Sequence, residues 1–172
     1  EAGQISEKKQ SEQLVGIARW CANKLLDGQL PLSKMHIELV DCLVESILGM
    51  PEHKALMLNW SMILKAIRSE GAPTEREETA TQRILLRMLA TSAKLEMEKA
   101  SDQDKPIKQS AVVKRKRSSN AMEAGVEELS TALLKNLPHL LETFKGDVMS
   151  LRDVTKLPST IASSILGLPS RK

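Results

Sequence analysis

The chain has 172 residues, of which 41% are hydrophobic, 27% charged and 2% aromatic, with a net charge of +3. That length suits one domain or a segment of a longer array, and the apolar content is too high for a disordered chain. The aromatics are Trp20, Trp60 and Phe144, with no tyrosine. This set argues against β-rich folds and against nucleic-acid modules that stack bases on aromatic platforms.

The elements predicted in chain order are all helices. The first runs from about Glu7 to Asp27, with Leu14, Ile17, Ala18, Cys21 and Leu25 recurring at three-and-four spacing on one face. Gly28 stops it, and Ser33 is placed to cap the second helix. The second stripe reads His36, Leu39, Val40, Leu43 and Ile47, widened by Cys42 and Val44. Gly49-Met50-Pro51 ends that helix and starts the next, since proline suits a first helical turn. Helix three then spans Glu52 to Ser69, with Leu56, Trp60, Ile63, Leu64 and Ile67 on one face. Thr74-Glu75-Arg76-Glu77 has the form of a capping box, and Ile84, Leu85, Met88, Leu89, Ser92 and Leu95 carry helix four to about Glu98.

From Lys99 to Asn120 the apolar periodicity disappears, which predicts a long flexible loop. Residues 99–121 hold seven cations against Asp102 and Asp104, so this segment carries +5 and the rest of the chain −2. Helix five follows from about Met122 to Phe144, with a kink expected at Pro138. A short helix from Asp147 to Lys156 and, after Pro158, another to about Leu166 complete the chain. The longest uncharged stretch, Leu157 to Ser170, is broken by prolines and is shorter than the ~20 residues a bilayer span needs. The polar start at Glu1 shows no signal peptide, and the missing initiator methionine suggests a processed chain or a fragment.

The helices pair and repeat. Trp20 and Trp60 lie 40 residues apart, each inside the first helix of a pair, and Pro31 and Pro73 lie 42 apart, each before the second. A period of about 40–47 residues holding two helices marks HEAT-type solenoids, in which each pair completes its core against its neighbours. The competing architecture is an ordinary helical bundle. The expected organisation is two HEAT-like pairs over 1–98, a basic linker over 99–121 and a further pair over 122–172. Both tryptophans are expected to act as core wedges, and Cys21 and Cys42 as reduced intracellular core thiols.

Lys114-Arg115-Lys116-Arg117, with Lys108 upstream, is the sharpest local feature. Adjacent cations neutralise DNA phosphates without reading sequence, serve as a nuclear import signal, or keep a solvated linker extended, and all three readings stay open. Ser118 and Ser119 follow directly, and Arg115-Lys116-Arg117-Ser118 fits the preference of basophilic kinases. A phosphate there adds about −1.5 to −2 of charge beside the cations. His36, His53 and His139 are far apart and lack ligand partners, and the glycines are scattered singly. No metal, cofactor, small-molecule substrate or catalytic residue is therefore predicted.

Some runs are more particular. His53-Lys54-Ala55-Leu56-Met57-Leu58-Asn59-Trp60 leads into Ile63-Leu64, then Thr79-Ala80-Thr81-Gln82-Arg83-Ile84-Leu85-Leu86-Arg87-Met88-Leu89. After the basic segment come Glu127-Glu128-Leu129, Leu137-Pro138-His139-Leu140-Leu141-Glu142-Thr143-Phe144, Asp147 and Leu157-Pro158. In this order they resemble the middle of the SA (stromal antigen, STAG-type) HEAT-repeat subunit of cohesin, over roughly residues 54–158. The tail departs at Ser159-Thr160-Ile161-Ala162, where the family continues with aromatic residues and a longer charged helix. Because the family's subunits are several times longer, the resemblance also implies a fragment or a divergent short form.

The resemblance implies an all-α solenoid scaffold, not an enzyme, acting in sister chromatid cohesion in the nucleus and on the chromosome. Its implied partners are the cohesin kleisin subunit, other cohesin components and DNA bound non-specifically through its phosphates, with no membrane. The alternative is a HEAT or armadillo-like adaptor in transport or signalling that binds no nucleic acid.

Overall fold

The computed structural model describes residues 2–26, 34–68, 75–103 and 112–165. These form seven helices and, among the described residues, no strand: α1 Ala2–Leu26, α2 Lys34–Leu48, α3 Pro51–Leu58, α4 Trp60–Arg68, α5 Glu75–Gln103, α6 Val112–Thr143 and α7 Val148–Ile165. Helices α1, α4 and α6 pack side by side in one layer, and α2, α5 and α7 in the other. Contacts between the layers join α1 and α4 to α5 and α6 to α7, while α3 bridges α2 and α5. The architecture is a HEAT-like solenoid segment of three helix pairs, with α5 the middle helix of its layer. One continuous apolar core runs through it, from Leu14, Ala18 and Cys21 on α1 through Ile84, Leu85, Met88 and Leu89 on α5 to Val154 and Leu157 on α7.

The third predicted helix is two helices. Asn59 leaves the helical region at φ −80°, ψ 71°, and its side-chain oxygen accepts from the Met62 N–H at 3.1 Å and the Ser61 hydroxyl at 3.3 Å. An asparagine that caps a new helix competes with continuation of the old one, without help from glycine or proline. The turn before α3 is as expected: Pro51 occupies the first turn and Met50 is extended. The expected caps at Ser33 and Thr74 lie outside the described residues.

The segment read as a flexible linker over 99–121 is helical over 99–103, where α5 ends, and over 112–121, where α6 begins. Apolar periodicity reports a buried face, not helicity. Lysine, arginine, glutamine and alanine are good helix formers without one. Pro106, which opposes helix in the residue before it, falls between the two helix ends. The two short helices expected near the chain end are one, because α7 continues through Pro158. Pro158 is exposed, so its ring faces water, and the Ser159 and Thr160 hydroxyls both donate to the Lys156 carbonyl, at 2.8 and 3.0 Å. Helix α6 likewise runs through Pro138.

Two buried-core expectations need correction. Trp60 is buried, but Trp20 is 59% exposed. Cys21 is buried while Cys42 is exposed, because the buried stripe of α2 is Ile37, Val40, Val44, Ile47 and Leu48. Burial raises the Cys21 thiol above its ordinary pKa, which starves it of reactive thiolate. Iodoacetamide is therefore expected to modify Cys42 alone in the native protein and both thiols in denaturant. Equal native labelling, followed by mass spectrometry, would contradict the packing of α1.

Candidate binding surface

The layer of α2, α5 and α7 is laced by charge. Arg83, Arg87 and Thr91 recur at four-residue spacing and so share one face of α5. Arg87 meets Asp41 of α2 through two parallel contacts, Nε to Oδ1 at 2.8 Å and Nη2 to Oδ2 at 2.6 Å. Its remaining nitrogen, Nη1, donates to Oδ1 of Asp153 on α7 at 2.8 Å. Thr91 donates a further hydrogen bond to Asp41, at 2.6 Å. One guanidinium thus joins three successive helices of the layer, a geometry the planar fork of arginine supports and a lysine ammonium does not.

The electrostatics of this triad follow from its partial burial. Desolvation alone pulls the Arg87 guanidinium down, but its hydrogen bonds and charge contacts with Asp41 and Asp153 outweigh that and hold it above the usual value. Desolvation pushes the Asp153 carboxyl up, and the opposing pull of Arg87 is smaller.

One turn earlier, Arg83 Nε lies 2.9 Å from Oδ2 of Asp147, which is buried at the start of α7. Asp147 caps α7: its carboxylate accepts from the Met149 N–H at 3.2 Å and from the Ser150 hydroxyl. The other layer is joined more loosely. Lys65 on α4 reaches Glu7 on α1 at 3.2 Å through two largely exposed side chains, and Arg68 donates to Asn136 on α6 at 3.1 Å.

Between the layers, Trp60 donates its indole N–H to Ser92 at 3.1 Å. Gln82 donates to the Ile67 carbonyl at 3.0 Å, and Lys54 pairs with Glu96 at 3.1 Å. These contacts tie α3 and α4 to α5, so the middle pair is fixed within itself as well as to its neighbours.

Exposed large apolar side chains among the described residues are Trp20 on α1, Met35 and Leu39 on α2, Met50 in the turn before α3, Leu134 and Leu141 on α6, and Val148 on α7. Leu134 and Leu141 are seven residues apart and share a face of α6.

Lys114, Arg115, Lys116 and Arg117 fall in the first turns of α6, with Ser118 and Ser119 in the next, while Lys108 lies outside the described residues. Successive positions of a helix step round its axis by about 100°, so the four basic positions encircle the helix instead of lining one side. No acidic residue stands in that first turn. Among the described residues no three His, Cys, Asp or Glu side chains gather as a metal site. No described helix is long and apolar enough to cross a membrane.

The sequence family described as "Cohesin subunit SCC3/SA, HEAT-repeats domain" matches residues 39–166, well over half of the chain. The chain belongs to this family. The matched region starts inside α2 and ends just past α7, so it takes in the whole Asp41–Arg87–Asp153 triad and the basic start of α6. No curated protein and no solved structure matches significantly. The SCC3/SA HEAT-repeat domain is a structural scaffold of a cohesin subunit and not a known enzyme fold. The runs over 54–158 that carried the resemblance lie inside the matched region. Reading those runs alone passed over the roles of Arg83 and Arg87. Two arginines one turn apart inside an otherwise apolar stretch were the available signal, because such charges call for buried partners.

Proposed function

We propose that this SCC3/SA-type segment acts in sister chromatid cohesion as a rigid scaffold, holding the extended kleisin chain of cohesin and, through the basic start of α6, the phosphate backbone of duplex DNA. Its place is the nucleus and the chromosome. The observation that carries the reading is that the family match spans both the triad that joins the helix pairs and the basic tetrad. A surface held by internal ion pairs is ordered before a partner arrives, so association loses less conformational freedom. Exposed apolar side chains such as Trp20 and Leu134 suit an extended peptide partner, since aromatic and aliphatic anchors dominate interface energetics. Cations in the opening turns of a helix add to the positive end of its dipole, which favours phosphate.

Both halves have a direct test. Glutamine forms helix about as well as lysine and arginine, so replacing Lys114, Arg115, Lys116 and Arg117 together with it should keep α6 helical. With at most four phosphate contacts, log K against log salt should fall no more steeply than about −3.6, and the quadruple variant should lose about tenfold or more in affinity at 0.1 M salt. Fluorescence anisotropy with a labelled duplex reads both quantities. Unchanged binding by the variant removes the tetrad from the interface, and an absence of binding by the native chain favours the adaptor reading. Failure of cohesin's kleisin to be retained on the immobilised chain would refute the scaffold half.

A further inference from the structure

We infer that Ser118 is a phosphate acceptor, and that its phosphate withdraws the basic start of α6 from DNA by engaging Lys114 and Arg115 within the same helix. This rests on the DNA reading above and supplies its regulation. Arg115, Lys116 and Arg117 stand three, two and one residues before Ser118, the arrangement a basophilic serine/threonine protein kinase recognises. In the transfer, the Ser118 Oγ bonds to the γ-phosphorus of ATP and the bond to the β,γ-bridging oxygen breaks. ADP leaves, and the hydroxyl proton passes to the kinase's base.

The helical placement gives the modification its consequence. Positions 114 and 115 precede 118 by four and three residues, the two spacings that share a helix face. In the unmodified chain, Lys114 and Arg115 stand in the first turn of α6, where the dipole is positive, with no acid there to offset them. Gly125 stands inside α6 between these turns and Val126, where the described buried stripe Val126, Leu129, Leu133 and Leu140 begins. A helix-interior glycine weakens a helix relative to alanine, so the basic turns can open for a kinase while the packed part of α6 stays folded.

Once attached, the phosphate brings about −1.5 to −2 of charge and three acceptor oxygens to the second turn of α6, one turn from positions 114 and 115. Pairing with the phosphate occupies two of the four cations. Only Lys116 and Arg117 then remain for a duplex, and the added negative charge repels it.

The test uses the full chain treated with the catalytic subunit of cAMP-dependent protein kinase and ATP, with the site mapped by mass spectrometry. Phosphate is expected on Ser118, lost in Ser118→Ala and kept in Ser119→Ala. Duplex affinity should fall about tenfold or more at 0.1 M salt, and the magnitude of the salt slope should drop by about half. Far-UV circular dichroism should show no loss of helix. No incorporation at Ser118 overturns the inference. So does a phosphorylated chain that binds as the unmodified one does, or an equal loss of affinity in kinase-treated Ser118→Ala. If the unmodified chain fails to bind the duplex, the DNA reading itself falls and takes the switch with it. Binding that ignores phosphorylation sinks the switch alone.

Discussion

Replacing Arg87 with methionine is expected to lower the free energy of unfolding by about 2–4 kcal/mol, between the loss for an exposed pair and that for a fully buried one, because Arg87 and Asp41 are partly buried. The substitution keeps most of the side chain's apolar stem and removes three hydrogen-bonding nitrogens at once. Asp41 and Asp153 would then face each other across α5 with no cation between them. Asp153 is already pushed toward its neutral form by burial, so losing Arg87 drives it further that way, and Asp41 keeps only the Thr91 hydroxyl. For a chain of this length each kcal/mol moves the melting temperature by about 2–4 °C, so the shift is readily measured. Urea denaturation followed at 222 nm gives the free energy directly. A second variant, with methionine at 87 and leucine at 41 and 153, should recover much of the loss, because a well-packed apolar triad can match a buried ionic one. Lys65→Ala, which removes the exposed pair with Glu7, should change stability by no more than about 1 kcal/mol. An Arg87→Met loss as small as the Lys65→Ala loss would show that the triad does not hold the layer.

The second large effect separates the two tryptophans. Trp60→Ala should cost about 3–5 kcal/mol, since it empties a buried site between α4 and α5 and strands the Ser92 hydroxyl as an acceptor without its indole donor. Trp20→Ala should stay within about 0.5 kcal/mol, the range for surface positions. Thermal unfolding of both variants decides this, and comparable losses would mean that Trp20 is packed as Trp60 is. Under the proposed scaffold role the exposed Trp20 ring is open to a partner, and kleisin retention is the assay in which its removal should register.

That contrast shows what residue patterns carry and what they omit. Two tryptophans at a helix-pair period look equivalent, yet only tertiary contact tells a wedge from an exposed ring. The apolar run of α2 is nearly continuous, with Met35, Ile37, Leu39, Val40, Leu43 and Val44, so several stripes fit it equally well. The structure buries the one containing Ile37 and leaves Leu39 in water. Asn59 starts a helix with its side chain, and an asparagine within a helical pattern does not say whether it caps or points to solvent.

The helix-pair order was legible because each pair buries a stripe, and stripes have a period. The helical turns at 99–103 and 112–121 were not, because a helix without a marked apolar stripe leaves no period to read. The triad was hardest of all. Its members, Asp41, Arg87 and Asp153, lie far apart along the chain, and only the stacking of α2, α5 and α7 gathers them.

A stack of repeats ordinarily frays from its ends, each pair melting with little regard for the one beyond its neighbour. A guanidinium shared between two junctions changes that, because opening either junction strands the same cation and weakens the other. The pairs carrying α2, α5 and α7 should therefore yield together under heat or pulling force, as a single cooperative block.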